Sequence, residues 1–211
     1  MNPPDGTDWD LHETQFGETP IDDDARQHLT PECAHIVTQD ELNLAESSNI
    51  ALAFEWLEDH PFARPTELLD QYTLRDLHRR MFEHVWSWAG RLRTRETNMG
   101  VDPSQIVHDW EVLLRNTQAQ IEHSSYPLPE IGVRLHRGML AIHCFPNGNG
   151  RHARMVANEL ARMLGLGETF YTWGGRNPAA NREAARRKYL QALRIADADD
   201  EYGPLVDIAT S

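Results

Sequence analysis

The chain has 211 residues, of which 40% are hydrophobic and 25% are charged. This composition favours one globular domain with a buried core and excludes collagen-like or wholly disordered chains. No apolar run approaches the roughly 20 residues that a transmembrane helix needs, and the start MNPPDGTDWD lacks the basic and apolar parts of a signal peptide. We therefore expect a cytoplasmic protein without a membrane segment.

The charge distribution is more informative than the net charge of -13. Residues 1–60 carry 15 acidic side chains and a single basic one, Arg26, whereas residues 134–194 carry 11 basic and 3 acidic side chains. The basic segment suits a phosphate ligand, but the acidic first third would repel nucleic acid or shield the basic surface. Nucleic-acid binding is therefore disfavoured.

The two cysteines, Cys33 and Cys144, have no metal-knuckle spacing and no evident disulfide partner. We expect both to be reduced thiols.

Apolar periodicity predicts a mainly helical chain behind an irregular arm. Residues 1–37 are acidic and rich in Pro, Thr and Gly, which favours an irregular arm, with a disordered tail as the alternative. A helix is predicted over about residues 40–59, either continuous or broken near Ser47 and Ser48, and a second from Thr73 to Trp86.

The following segment changes pattern, because Leu92 and Thr94 alternate between glycines at both ends. This predicts a short β-hairpin over about residues 91–101. Further helices are predicted over about 103–123, 131–142, from just after Gly148 to Leu164, and 178–196.

The sequence HCFPNGNGRHAR, residues 143–154, is a loop that leads into a helix. A helix that begins just after Gly148 presents backbone N–H groups and the positive end of its dipole, and glycine lets an anion approach closely. Arg151 and Arg154 lie three residues apart and can add two cations for successive phosphates. His143 is a candidate general base, and Asn147 offers Mg²⁺ a carbonyl oxygen, a weaker ligand than a carboxylate.

A Gly-Asn-Gly turn that caps an arginine-bearing helix needs no ligand, and a lone His-x-Phe is usually a packing feature. At this spacing, however, the pieces together favour a nucleoside triphosphate site with a base beside it. His78, His136 and His152 fit no strong metal motif, and we expect them to pack between helices or lie at the surface.

Residues 143–154 resemble the signature of Fic domain proteins, in which a histidine, a phenylalanine, an acidic residue, Gly-Asn-Gly-Arg and a second arginine follow in fixed order. Residues 78–93 and 187–193 are similar to other stretches of the Fic/DOC family. The resemblance covers about residues 38–205, leaving 206–211 as a tail. Within the family, the chain resembles the branch called mobile mystery protein B, which is associated with mobile elements.

The resemblance implies a helical fold and transfer of AMP from ATP to a Ser, Thr or Tyr hydroxyl of a target protein. His143 would remove the hydroxyl proton, and Phe145 would anchor the loop. A flap at about residues 93–101 would dock the target by strand addition. The phosphates would be bound by the remaining motif residues, Gly148, Asn149, Gly150, Arg151 and Arg154, with Asn147 at the metal position.

Asn147 departs from the family pattern, which has a magnesium-binding carboxylate at this position. Weaker metal binding would follow. The alternative function is therefore a catalytically weak nucleotide-binding module of a mobile element or a toxin-antitoxin-like system. An antitoxin and a second copy of the chain are left open as partners.

Fic proteins are often held inactive by a helix whose glutamate pairs with the second motif arginine. Glu46 is our candidate for that glutamate, with Arg154 as its partner. Glu41 is a weaker candidate, and the family pattern is imperfect because Leu42 and Ser47 occupy its outer positions. The ordinary alternative is that Glu46 is a solvated helix residue.

Overall fold

The computed structural model describes residues 21, 23–97, 99–168, 170–173 and 182–211. Most of the arm predicted over residues 1–37, namely 1–20 and 22, lies outside these residues. The described part of the chain is mainly helical, which confirms the predicted fold class at that level, and none of its helices is long and apolar enough to cross a bilayer. The helices are α1 (Asp23–Arg26), α2 (Gln39–Asp59), α3 (Pro65–Leu68), α4 (Gln71–Phe82), α5 (Ile106–Glu122), α6 (Leu128–Ile142), α7 (Asn149–Met163), α8 (Arg182–Asp199) and α9 (Gly203–Thr210).

Helix α6 lies at the centre and packs against α5, α7 and α9, while α2 packs along α4. Helix α4 and the short α3 also contact α7. The motif loop between α6 and α7 is therefore surrounded by the core. The largest fully buried side chains are Phe82, Trp86, Trp110, Phe145 and Tyr171.

Helix α2 is a single continuous helix, so the alternative of a break near Ser48 is wrong. It begins with a reciprocal capping box, in which the Glu41 N–H donates to Thr38 Oγ1 (3.3 Å) and the Thr38 N–H donates to the Glu41 carboxylate (3.1 Å). The Ser48 hydroxyl donates to the Leu44 carbonyl within the helix (2.9 Å). Five residues of α2 are buried: Leu42, Glu46, Asn49, Ala53 and Leu57. Two of them, Glu46 and Asn49, are polar.

Helix α4 begins two residues before the predicted Thr73, because Asp70 caps it by accepting the Thr73 N–H (2.9 Å). It ends at Phe82, and the chain then turns towards Trp86. Residues 28–30 run beside this turn: the Ser87 N–H donates to the His28 carbonyl (2.8 Å), and Leu29 bridges Trp86.

The predicted β-hairpin is not present among the described residues 91–97 and 99–101, which form no strand. Two of the backbone N–H groups in this segment instead donate to the end of α6 and the residues after it: Arg93 to the Cys144 carbonyl (3.0 Å) and Val101 to the Ile142 carbonyl (3.3 Å). The alternation of Leu92 and Thr94 therefore does not mark a strand, and the backbone acceptors for Arg93 and Val101 are on another element. We keep the name flap for residues 93–101.

The chain ends in a helix that packs against the core. Leu205 and Ala209 of α9 are buried, and the Thr172 and Trp173 N–H groups donate to the Ala209 carbonyl (2.7 and 3.0 Å). Residues 206–210, which the sequence analysis assigned to a tail, are therefore helical. The proposed boundaries of the Fic domain stay a prediction.

The depth of the core predicts an unequal response to two leucine truncations. Leu77 on α4 is fully buried, whereas Leu44 on α2 is 70% exposed. We expect Leu77→Ala to lower the free energy of unfolding by about 2–5 kcal/mol through the cavity it leaves. The matched control Leu44→Ala should change it by no more than about 0.5 kcal/mol. Urea denaturation followed by circular dichroism measures both, and equal losses would contradict this packing.

Candidate functional site

The motif loop begins where α6 ends in a left-handed residue. His143 has φ 54° and ψ 62°, and its N–H donates to the Met139 carbonyl (3.0 Å). A non-glycine residue seldom adopts this conformation, so the surrounding structure must hold it. This left-handed conformation ends α6 and makes His143 the first residue of the motif loop.

Phe145 lies in the core, where an anchor would be expected. Its ring is 1% exposed and stacks on His78 at a centroid distance of 3.6 Å. Trp110 and His152 contact the same ring edge-on, at 5.7 and 5.3 Å. The loop is thereby fixed from two sides.

Asn149 holds the loop through its side chain. Its Oδ1 accepts the Phe145 N–H (2.9 Å), and its Nδ2 donates to the Phe145 carbonyl (2.8 Å). The resemblance implies that Asn149 binds phosphate through its backbone, not through its side chain. Its side chain has a structural role, and only its backbone is left to contact an anion.

His78 on α4 is a residue whose role sequence reasoning missed. It accepts the Gly90 N–H at Nδ1 (3.0 Å), so its proton is on Nε2, which donates to the Asn147 carbonyl (3.1 Å). Burial, reinforced by His152, lowers the pKa of His78 well below its ordinary value. A neutral histidine therefore holds the motif loop by a hydrogen bond to Asn147, which lies 69 residues later in the sequence.

Gly148 is required by both conformation and space. Its φ is +77°, and a Cβ would lie 2.6 Å from a Phe82 ring carbon and 3.2 Å from His78 Nε2. Because α7 starts at Asn149, Gly148 is its N-cap. The N-terminus of α7, with the first-turn N–H groups of a helix, lies directly at the loop, as the sequence predicted.

Asn147 does not form a magnesium site with its neighbours. Its Oδ1 accepts the Gly148 N–H (2.7 Å), and among the described residues there is no group of three His, Cys, Asp or Glu side chains that could hold a metal ion. Mg²⁺ is usually bound by carboxylates together with nucleotide phosphates. A single engaged amide oxygen does not fit that requirement.

Glu46 pairs with Arg151, not with Arg154 as the sequence analysis expected. Two guanidinium nitrogens of Arg151 donate to the carboxylate at 2.7 and 3.1 Å. The indole N–H of Trp86 donates to the same carboxylate (2.8 Å). Glu46 is 0% exposed, so the solvated alternative is wrong as well. The buried carboxylate therefore accepts two charge-assisted hydrogen bonds from Arg151 and one from the neutral indole of Trp86, and these three bonds hold it in place.

Arg154 contacts a different part of the molecule. Its guanidinium carbon lies 5.7 Å from the centre of the Tyr189 ring on α8, and the Tyr189 hydroxyl is 2.7 Å from His136 Nε2. Burial, followed by the charge of Arg154, lowers the pKa of His136 well below its ordinary value. The two motif arginines thus have unlike surroundings: Arg151 faces a carboxylate, and Arg154 faces an aromatic ring.

His143 is neutral at physiological pH. Burial, with a smaller contribution from the charge of Arg93, lowers its pKa to about 4. Its Nδ1 atom is buried and has no hydrogen-bond partner among the described residues. Nε2 is therefore the nitrogen available to take a proton.

A groove of about 540 Å³ lies beside Asn147 and the flap. It is lined by residues 91–97, by Asp24 of α1 and by His28. The other lining residues include Trp86, Trp88, Pro146 and Asn147. This groove joins the flap to the motif loop.

The model of the Fic/DOC family matches residues 68–161, which contain α4 to most of α7 and the whole motif loop. These residues are a Fic domain. No curated protein matches the chain in sequence.

Solved Fic structures share the fold. The N-terminal Fic domain of a putative cell filamentation protein from Bartonella quintana, with bound ADP, has a TM-score of 0.60 at 17% identity and covers 84% of this chain and 87% of its own. BepC from Bartonella tribocorum, with bound AMPPNP, has a TM-score of 0.61 at 14% identity, with 88% and 95% covered. Fic-1 (residues 134–508) from C. elegans has a TM-score of 0.61 at 19% identity; 79% of this chain is covered, but it spans only 47% of that one.

The buried histidines predict a characteristic pH dependence of stability. The folded-state pKa values of His78, His136, His143 and His152 all lie below the ordinary value. The unfolded chain therefore binds more protons than the folded chain below about pH 6.5, and stability rises with pH in that range. We expect the free energy of unfolding to fall between pH 7 and pH 5, by up to about 1.4 kcal/mol per pH unit for each histidine. Urea denaturation across this range measures it, and a flat profile would show that these histidines titrate normally.

Proposed function

We propose that the chain is a protein adenylyltransferase that moves AMP from ATP to a Ser, Thr or Tyr hydroxyl of a target protein in the cytoplasm. The observation that carries this proposal is the position of a neutral histidine, His143, on the same short loop as the N-terminus of α7. A base and an anion receptor are needed together for phosphoryl transfer. The bound ADP and AMPPNP of the two Bartonella Fic structures support a nucleotide at this site.

The N-terminus of α7 would receive the phosphates. The backbone of Gly148, Asn149 and Gly150 supplies N–H groups and the positive end of the helix dipole. Arg154 forms no ion pair with a carboxylate of the described residues, whereas Arg151 does. Arg154 would therefore add a cation to the terminal phosphates. Arg151 can contribute only after it leaves Glu46.

His143 would act as the general base through Nε2. The target hydroxyl oxygen forms a bond to the α-phosphorus of ATP, the bond from that phosphorus to the leaving oxygen breaks, and pyrophosphate departs. The hydroxyl proton passes to Nε2. A base with a pKa of about 4 is unprotonated at neutral pH but weak, so the proton transfer would accompany bond formation instead of preceding it.

The target would lie in the groove beside the flap. Residues 94–97 are exposed, and they line the groove together with Asn147 of the motif loop. An extended segment that pairs with the flap backbone would gain affinity from main-chain hydrogen bonds. Its hydroxyl would thereby be held near His143.

Glu46 would keep the enzyme inactive in the absence of a signal. Its carboxylate occupies both outer nitrogens of Arg151, and ATP phosphates would have to displace it from a buried position. Because three donors hold the carboxylate, this displacement is costly. The inhibitory contact proposed here therefore acts on the first motif arginine.

We expect Glu46→Gly to increase AMP transfer at least about 10-fold, since a tenfold effect needs only about 1.4 kcal/mol of the lost ion pair. His143→Ala should abolish transfer. The measurement is intact-mass and peptide mass spectrometry after incubation with ATP, Mg²⁺ and host lysate. Glu55→Gly, an exposed position on the same helix, is the matched control and should behave as wild type.

Transfer without an increase in Glu46→Gly would keep the enzyme and remove Glu46 as the inhibitor. If all variants bind ATP and none modifies a protein, the adenylyltransferase proposal fails.

The second candidate function is a nucleotide-binding interaction module of a mobile element or a toxin-antitoxin-like system. It is favoured by Asn147, whose amide oxygen is engaged within the loop and lacks the charge that Mg²⁺ prefers. Binding without transfer, with transfer restored by Asn147→Asp, would select it. The antitoxin partner and the homodimer stay predictions of the resemblance.

A further inference from the structure

Arg93 is a buried cation that contacts only backbone carbonyls among the hydrogen-bond acceptors of the described residues. Its side chain is inside the protein, since the residue is 4% exposed. Nε donates to the His143 carbonyl (2.6 Å), and the two outer nitrogens donate to the carbonyls of Arg95 (3.0 Å), Ile142 (3.3 Å) and Val101. The backbone N–H of Arg93 donates to the Cys144 carbonyl (3.0 Å).

This arrangement is costly for stability alone. A buried charge that forms no ion pair is costly to desolvate, and burial lowers the pKa of Arg93 although Asp102 and Glu96 act in the opposite direction. None of the ion pairs formed by the described residues includes Arg93. The arginine therefore calls for a role in the geometry that its five hydrogen bonds create.

Those hydrogen bonds join two segments. Arg95 and Val101 belong to the flap, whereas Ile142 and His143 are the last residue of α6 and the first of the motif loop. Gly100 lies against the same junction: its φ is +105°, and a Cβ there would be 2.6 Å from an Arg93 nitrogen and 2.7 Å from the Cβ of His143. The flap backbone thus rests directly on His143.

The imidazole of His143 has little else to orient it. Its Nδ1 atom has no hydrogen-bond partner among the described residues, so no carboxylate or carbonyl fixes the ring as in many catalytic histidines. Its direction depends on the left-handed backbone at His143, and Arg93 holds the carbonyl of that same residue.

We propose that Arg93 is the positioning residue for His143, and that it couples the order of the flap to the placement of the base. A target segment that orders the flap would, through Arg93, also fix the position of His143. This inference rests on the proposed function, because it takes His143 as the base. The planar fork of a guanidinium is essential to it, since a lysine ammonium cannot reach four carbonyls.

The first test is independent of activity. Hydrogen–deuterium exchange would be compared between wild type and Arg93→Lys, with Arg115→Gln, an exposed arginine on α5, as control. We expect exchange to become about 10-fold faster or more in the flap and in residues 142–147 together, with the core of α5 unchanged. Faster exchange in the flap alone would overturn the coupling.

The second test measures catalysis in the Glu46→Gly background. Arg93→Lys should lower kcat about 100-fold, while KM for ATP stays within about 3-fold, because the base is misplaced and the nucleotide site is intact. Arg115→Gln should change neither. Full activity in Arg93→Lys would show that charge alone suffices and would overturn the inference.

A third variant covers the case in which Arg93→Lys does not fold. Gly100→Ala leaves the arginine in place but inserts a methyl group between it and His143, and it should give the same joint exchange pattern. If the Glu46→Gly parent transfers no AMP, the proposed function fails, while the exchange data still decide whether Arg93 couples the two segments.

Discussion

The buried carboxylate of Glu46 organises the polar side of this molecule. With no exposure to solvent, it must be paired, and Arg151 and Trp86 satisfy it from α7 and from the turn after α4. Asn49, one turn further on α2, binds the Arg80 carbonyl (2.7 Å) and accepts the His84 N–H (2.9 Å). Helix α2 is therefore attached to α7, to α4 and to the turn after α4 by directional polar contacts as well as by apolar packing.

This attachment gives the two motif arginines different states. Arg151 is neutralised within the protein, whereas Arg154 lies beside the Tyr189 ring. A nucleotide that needs both cations would have to compete with α2. Regulation and phosphate binding would thus use the same guanidinium, so anything that moves α2 would change the site directly.

The helices and the start of α7 could be predicted because they depend on local signals: apolar spacing and the glycines of the motif. The partner of Glu46 could not, since the rotation of α2 against α7 is not encoded in the spacing of either helix. The supporting role of His78 is a contact across 69 residues and left no local signal. The prediction of a hairpin was wrong. Leu92 and Thr94 alternate as in a strand, but the Arg93 N–H between them donates to the carbonyl of Cys144, just after α6, and not to a second strand.

The most direct test of the central claim, that Glu46 withholds Arg151 from the nucleotide, is isothermal titration of AMPPNP in a double-mutant cycle of Glu46→Gln and Arg151→Gln. Glutamine keeps an acceptor for Trp86 but removes the charge. We expect Glu46→Gln to tighten binding at least about tenfold, a coupling of about 1.4 kcal/mol, and we expect the gain to disappear when Arg151 is also replaced. An equal gain in both backgrounds would show that Glu46 acts through another residue and would contradict the claim.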